Sequence, residues 1–322
     1  MRYVLTIATG KKLYVDLAAN LARSFLYWHA GSDIIFQLVT DQPELVPGDV
    51  YNKIQVITVK AGELGLGFSP KLHLDKLVTG GQTLFVDSDC LVYGDLSAAF
   101  EKFKGHNVSV VGNYISSGEW FGDIKEICKK FDIKQMPKFN GGLYYLEKGD
   151  KCTQVYQLAR QLEAQYDEIG FMRLRGRPND EVLMALAMEL NQQAPITDDG
   201  GILAEFVNFQ SGIKSDLLKG RAELYNDPVN PGYQKNWHLT IAKPVVVHFL
   251  GYHNQVMPYI KEAKQLNYLF AHEWPQNMAK LLTFLQVTIP VVSVTYIKNM
   301  FRPAYTFLFG NRKIKKSERI ID

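Results

Sequence analysis

The sequence predicts a wound α/β domain with a mostly parallel sheet, and three observations carry that expectation. Short apolar runs alternate with helically spaced apolar residues, as strands linked by crossover helices require. At 322 residues, the chain can form one large domain with an appendage or two ordinary ones. An apolar run, Leu84-Phe85-Val86, ends in Asp87-Ser88-Asp89, which is how a sheet presents charge at its rim.

Residues 3–8 read as a first buried strand, too short an apolar stretch for a signal peptide. Apolar spacing predicts a helix over 15–29, with strands following at 34–39, 54–59 and 83–86. Ser69-Pro70 predicts a cap-and-proline helix start for 71–78. Further strands are expected at 108–112, 142–146 and 245–249, and helices at 153–166 and 179–191. The last of these opens with Asn179 or Asp180 as cap and acids in its first turn. Residues 198–244, rich in Gly, Asn and Pro, are expected to be irregular.

Cys90, Cys128 and Cys152 are odd in number and widely spaced, neither a disulfide framework nor a zinc signature. A reducing, cytoplasmic setting follows as the expectation. Net charge is +3, but residues 298–322 hold seven Lys/Arg against two acids, which leaves −2 on residues 1–297. Basicity belongs to the tail, and with no matching basic patch or recognition motif, nucleic acid is not an expected partner.

In an extended strand, side chains at i and i+2 share a side, so Asp87 and Asp89 would reach one ligand together. Two like charges that close need a counter-ion, and hard oxygens favour Mn²⁺ or Mg²⁺, whose other ligands come from water and substrate phosphates. Alone, Asp-X-Asp reads equally well as a solvated acidic turn. The run Val245-Val246-Val247-His248-Phe249-Leu250-Gly251 ends a buried strand with an imidazole and a glycine. A lone His there is usually structural, but beside the carboxylates His248 would be a third ligand, and Gly251 would let backbone approach phosphate. Asn140-Gly141-Gly142 by itself reads as a tight turn leading into a strand.

Together these groups resemble the glycogenin and bacterial galactosyltransferase type of glycosyltransferase, family eight, with a GT-A fold. The resemblance covers about residues 1–255. It is carried by Lys71-Leu72-His73, Phe85-Val86-Asp87-Ser88-Asp89 followed by Gly94-Asp95-Leu96, Phe139-Asn140-Gly141-Gly142, Asn179-Asp180-Glu181 and His248-Phe249-Leu250-Gly251. It implies that Asp87, Asp89 and His248 bind a divalent metal and that Lys71 lies near the nucleotide diphosphate. It likewise implies that Asn140 lies near the sugar and Asp180 beside the reacting centre, with Glu181 standing where the family usually has Gln. Thr9, Ser88 and Gly251 fall among donor-contacting positions, although Thr9-Gly10-Lys11-Lys12 replaces the family's acidic nucleotide contact. Asn254 stands where a phosphate-contacting lysine is usual, which leaves the leaving-group charge to the metal and to Lys71 or His253.

The resemblance thus implies sugar transfer from a nucleotide diphosphate donor, a UDP-sugar foremost, to a saccharide or lipid-linked acceptor with retention of configuration. Residues 1–255 would form the transferase domain, with 198–244 shaping the acceptor side, and 256–322 a helical extension. A metal-dependent nucleotidyltransferase and a degenerate transferase fold serving as a membrane-surface scaffold are the alternatives. Gly62-Glu63-Leu64-Gly65-Leu66-Gly67 lacks the spacing of a phosphate or dinucleotide loop.

Residues 281–297 carry no charge and precede aromatic and basic residues through Lys316. Spanning needs about 20 apolar residues and Pro290 interrupts this run, so spanning is not expected. Two readings stay open. The segment forms buried helices that close the domain, or 281–316 makes peripheral contact with the cytoplasmic face of a membrane. In the second, Phe301, Tyr305, Phe307 and Phe309 lie at headgroup depth and Arg312, Lys313, Lys315 and Lys316 face anionic lipid.

Overall fold

The computed structural model describes residues 1–310. The chain divides into two compact units, Met1–Leu250 and Gly251–Asp322. In chain order the strands are β1 (Arg2–Ala8), β2 (Ile34–Thr40), β3 (Gln55–Thr58), β4 (Gln82–Val86), β5 (Cys90–Val92), β6 (Val108–Ser109), β7 (Val111–Ile115) and β8 (Met136–Phe139). They continue with β9 (Leu143–Glu147), β10 (Ile196–Thr197), β11 (Leu203–Glu205), β12 (Gly212–Asp216), β13 (Arg221–Tyr225), β14 (Ile241–Ala242) and β15 (Val246–His248).

The central sheet has the order β3-β2-β1-β4-β9-β6. Strands β1 to β4 are mutually parallel, and β9 runs antiparallel between β4 and β6. Both faces are covered. Val4, Leu38 and Leu84 pack into one hydrophobic cluster while their neighbours Leu5, Val39 and Phe85 pack into the other, as the pleat dictates. Helix Lys12–Trp28 lies on the first face, burying Val15, Ala18, Ala22 and Phe25. Helices Asp150–Ala164 and Asp180–Leu190 contribute Val155, Tyr156, Val182 and Leu186 to the second.

Several expectations are revised. The strand read at 108–112 is two: β6 pairs with β9 in the central sheet, whereas β7 pairs with β8 and β10 in another. The apolar run fits either sheet, and the chain changes partners at Val110. Residues 198–244 are not irregular throughout, since β12, β13 and β14 form an antiparallel sheet whose buried members are small or widely spaced. Pro70 opens a 3-10 turn, Ser69–His73, before the short helix Leu74–Leu77, and the Ser69 hydroxyl donates to Glu163 rather than capping. The helix read over 153–166 begins at Asp150 and breaks at Gln165 before the short helix Tyr166–Ile169.

In the second unit, Pro290 does not interrupt the apolar segment. Helix Gln276–Thr283 passes through a π turn, Phe284–Thr288, into helix Ile289–Phe309. The π turn widens the ladder just where Pro290, in the first turn of the next segment, has no N–H to give. The buried-helix reading of 281–297 fails as well: Leu281, Phe284, Leu285, Ile289, Val292 and Ile297 are all exposed. Arg312, Lys313, Lys315 and Lys316 lie outside the described residues.

Candidate active site

The site forms where three backbone devices meet at the carboxyl edge of the central sheet. The first is the link between β4 and β5. Asp87, Ser88 and Asp89 lie in a turn closed by the Cys90 N–H donating to the Asp87 carbonyl at 3.0 Å, so the carboxylates converge through a turn and not through strand alternation. The Ser88 N–H donates to Asp87 Oδ1 at 3.2 Å. The second is β15, antiparallel to β5 in a register that sets His248 opposite Cys90. The Phe249 N–H donates to the Asp89 carbonyl at 3.1 Å, which fixes the imidazole beside the acidic turn. The third is the turn Asn140-Gly141-Gly142 leading into β9, where the Gly142 carbonyl accepts from the Asp87 N–H at 2.9 Å.

Both glycines are required by close approach. A Cβ on Gly142 would lie 2.5 Å from His248 Nδ1 and 2.8 Å from Asn140 Oδ1. A Cβ on Gly141 would lie 2.8 Å from Asp180 Oδ2. Asn179 caps helix Asp180–Leu190 by accepting from the Glu181 N–H at 2.7 Å, and the two following acids face the glycine turn. Glu181 Oε1 accepts from the Gly141 N–H at 2.8 Å, and Asp180 Oδ2 accepts from the buried Tyr144 hydroxyl at 2.6 Å.

His248 Nε2 stands 2.9 Å from Asp89 Oδ1 and 4.0 Å from Asp87 Oδ2. Its Nδ1 is 2.8 Å from Asn140 Oδ1, which also accepts from the Gly142 N–H at 2.8 Å. An amide oxygen can only accept, so Nδ1 carries the proton there and donates to Asn140. That arrangement leaves the free lone pair on Nε2 when the ring is neutral. Lys71 Nζ donates to Asp87 Oδ2 at 2.7 Å and to the Gly141 carbonyl at 2.9 Å. Its segment is held by Arg160, which donates to the Leu72 carbonyl at 2.6 Å and to both oxygens of Asp75.

The acids Asp87, Asp89, Asp180 and Glu181 thus surround Lys71 and His248, an excess of negative charge. Burial opposes charge on Lys71, but Asp87 and Asp180 more than offset it and raise its pKa. Burial also opposes protonation of His248, yet Asp89 and Asp87 hold its pKa up to about 9. Asp89 is the acid that benefits: burial would raise its pKa, and His248 and Lys71 bring it below the usual carboxylate range. Burial and then Asp180 push Glu181 up to about 8, and burial raises Asp180 itself against the pull of Lys71 and Tyr144. Cys90 offers Sγ within 4.8 Å of the Asp89 and His248 ligand atoms, but burial and Asp89 keep the thiol protonated, a poor ligand form.

Thr9 follows β1 at the same sheet edge, one strand over from Asp87, while Gly251 belongs to the second unit, where it opens the 3-10 turn Gly251–Gln255. The sequence reading did not single out the cavity of about 680 Å³ that shares Asn140 and Glu181 with this cluster. Trp120, Phe139 and Trp237 supply aromatic walls, and Asn113, Asp198, Glu205 and His238 supply polar groups. Burial brings Glu205 up to about 7. The available signal was a Trp237-His238 pair in a stretch otherwise rich in turn residues, too weak to place on a wall without the β12–β14 sheet.

The sheet order with its reversed β9, and the acidic turn at the carboxyl edge of β4, define the fold of the GT-A glycosyltransferases. A crystal structure of an active-site mutant of LgtC matches with a TM-score of 0.52 at 13% identity, covering 86% of this chain and 99% of that one. The galactosyltransferase LgtC in complex with donor and acceptor sugar analogues matches at 13% identity over 77% of this chain and 87% of that one, with a TM-score of 0.48. The glycosyltransferase GlyE of Streptococcus pneumoniae TIGR4 matches at 14% identity over 85% and 66%, with a TM-score of 0.48. No protein-family model matches the sequence, and no curated protein sequence matches it.

Proposed function

We propose that this chain is a metal-dependent glycosyltransferase that moves a sugar from a nucleotide diphosphate donor, a UDP-sugar foremost, to a hydroxyl of a saccharide acceptor with retention. The observation that carries the reading is the convergence of Asp87, Asp89 and His248 Nε2 from two separate strand ends, with Lys71, Asn140, Asp180 and Glu181 around them. Asp89 Oδ1 is buried and makes no aligned hydrogen bond, although Nε2 lies 2.9 Å away. That spacing suits two ligands of one ion, because bonds of about 2.1 Å at right angles separate their donor atoms by about 3 Å. Two carboxylates and an imidazole fit Mn²⁺ or Mg²⁺ in this setting, and Asp87, Asp89 and His248 are the residues that would hold it.

Such an ion, when bound, acts as a Lewis acid toward the departing diphosphate. The protein's own groups do the rest. Lys71 brings a fixed positive charge to the phosphate side, and Asn140 orients His248 by accepting its Nδ1–H. Asp180, anchored by Tyr144, and Glu181, anchored by the Gly141 N–H, present carboxyl groups toward the sugar as positive charge develops at its anomeric carbon. The cavity beyond Asn140 and Glu181, with aromatic walls and amide groups, suits an acceptor sugar that stacks one face and hydrogen-bonds its rim.

The test is thermal melting of the protein against UDP-, GDP-, dTDP- and CMP-sugars, each with and without Mn²⁺, followed by product analysis with the stabilising donor. A metal-dependent shift with one nucleotide class and release of free nucleoside diphosphate is the expected result. Release of pyrophosphate would replace the reading with nucleotidyl transfer. Absence of any shift from the folded protein would replace it with a non-catalytic role.

A further inference from the structure

Two arginines beside the site carry positive charge that no group of the described residues answers. Arg175 and Arg177 are exposed, and neither guanidinium has an ion pair or a hydrogen bond among those residues. Their neighbours differ. Arg173 donates to both oxygens of Asp167 at 2.9 and 2.7 Å, and Arg160 to both oxygens of Asp75. The free pair belongs to a two-residue hairpin in which Leu174 and Arg177 exchange N–H···O bonds of 2.9 and 3.1 Å, with φ of 54° at Arg175 and 74° at Gly176. Asn, Asp or Gly ordinarily fills the first of these positions, because a positive φ crowds the Cβ of other residues. Arginine is held there against local preference, and backbone held in that way clusters at ligand-binding sites.

The hairpin is fixed on two sides. On one, the Met172 N–H donates to the Phe121 carbonyl at 2.9 Å, and Phe121 follows Trp120, an aromatic wall of the cavity. On the other, the Arg177 stem crosses Gly67, where a Cβ would lie 2.5 Å from Cδ and 3.2 Å from Nη1. Pro178 keeps Arg177 out of helical conformation, and Asp180 comes three residues later, which puts the two Cα atoms within about 11 Å. The hairpin thus borders both the cavity wall and the segment that carries Asp180.

The donor does not need these charges. Its diphosphate meets Lys71 and the ion that Asp87, Asp89 and His248 would hold, which leaves the acceptor as the partner of two exposed guanidiniums. Planar forks of this kind match a carboxylate or a phosphate with paired hydrogen bonds. Resting on the transferase reading, we infer that the acceptor is an acidic saccharide whose carboxylate or phosphate is clamped by Arg175 and Arg177.

The test is binding of the full chain, with and without UDP and Mn²⁺ to fill the diphosphate site, to an array of neutral, uronate-bearing and phosphate-bearing oligosaccharides. Acidic members bind about 100-fold more tightly than neutral ones, roughly tenfold per guanidinium. Arg175→Gln/Arg177→Gln removes that preference, whereas Arg173→Gln, whose guanidinium Asp167 already engages, keeps it. All three side chains are exposed, so unchanged melting of each variant shows that the fold is intact. Binding confined to the uronates or to the phosphates supports the inference and names the acidic group. Equal binding of neutral members, no binding of any acidic member, or a preference that survives in the double variant would overturn it. So would loss of the Mn²⁺-dependent UDP melting shift in the double variant, which would assign the arginines to the donor. That same shift in the unaltered protein tests the transferase reading separately.

Discussion

Gly142→Ala probes the geometry of the site without introducing a disallowed backbone angle. Gly142 does not occupy the left-handed region, so alanine introduces no φ strain there, and the perturbation is purely the added methyl. That methyl would lie 2.5 Å from His248 Nδ1, where ordinary contact begins at 3.4 Å, so the ring must retreat by about 0.9 Å or Gly142 must move. Retreat breaks the 2.8 Å bond to Asn140 Oδ1 and swings Nε2 away from Asp89. Overpacking of this kind costs about 1–3 kcal/mol, a fall in Tm of roughly 3–10 °C for a domain of this size. Loss of the orienting contact weakens metal affinity by about 10- to 100-fold. The assay is a Mn²⁺ titration of UDP-sugar-dependent melting, with Gly48→Ala as control, since nothing lies within 4 Å of a Cβ there. If Gly142→Ala keeps the wild-type Mn²⁺ midpoint and the full nucleotide shift, the placement of His248 as a ligand is wrong.

Three further outcomes follow. Asp89→Asn removes the carboxylate that faces Nε2 and abolishes the Mn²⁺ dependence of nucleotide binding, measured by calorimetry with and without metal. Glu181 has its pKa raised from 4.5 to about 8, so its contribution is fully present below about pH 4.5 and is lost as pH rises through 8. The apo protein therefore loses stability over that window at up to about 1.4 kcal/mol per pH unit, and Glu181→Gln flattens the difference between melting curves at pH 5 and pH 8. Trp237→Ala strips an aromatic wall from the cavity and raises the acceptor KM about tenfold, while the donor-induced shift in Tm stays at the wild-type value.

The parallel half of the sheet was legible because each strand, buried on both faces, is a continuous apolar run: β1, β2 and β4 lie within a residue or two of their expected limits. The ligand candidates were legible for a different reason. Asp87, Asp89 and His248 follow apolar runs, and a charge that ends a buried strand has few places to go except the sheet edge. What sequence could not supply was partner choice. Val108 and Val111 look alike along the chain yet enter different sheets, a matter of tertiary packing. Burial of the apolar C-terminal run was equally illegible, since a buried helix and an exposed apolar one have the same composition; the exposure of residues such as Phe301 and Phe307 separates them.

The register between β11 and β15 links the two halves of the site. Glu205 pairs with His248 across neighbouring parallel strands, so the strand that carries the imidazole to the acidic turn is bonded to the strand that carries Glu205 to the cavity wall. Strands so paired do not slide independently, because a one-residue slip would turn Leu203 and Val246 out of the core. A backbone displacement at Glu205 therefore bears on His248 through the β11–β15 ladder, and β15 is tied in turn to β5 beside the acidic turn. Electrostatics run in the same direction. Burial lifts the Glu205 pKa to about 7 and the His248 charge draws it down, so displacing that charge favours the neutral acid. A neutral Glu205 donates a hydrogen bond to a hydroxyl where an ionised one accepts, so positive charge at His248, which favours the ionised form, favours acceptance at this wall.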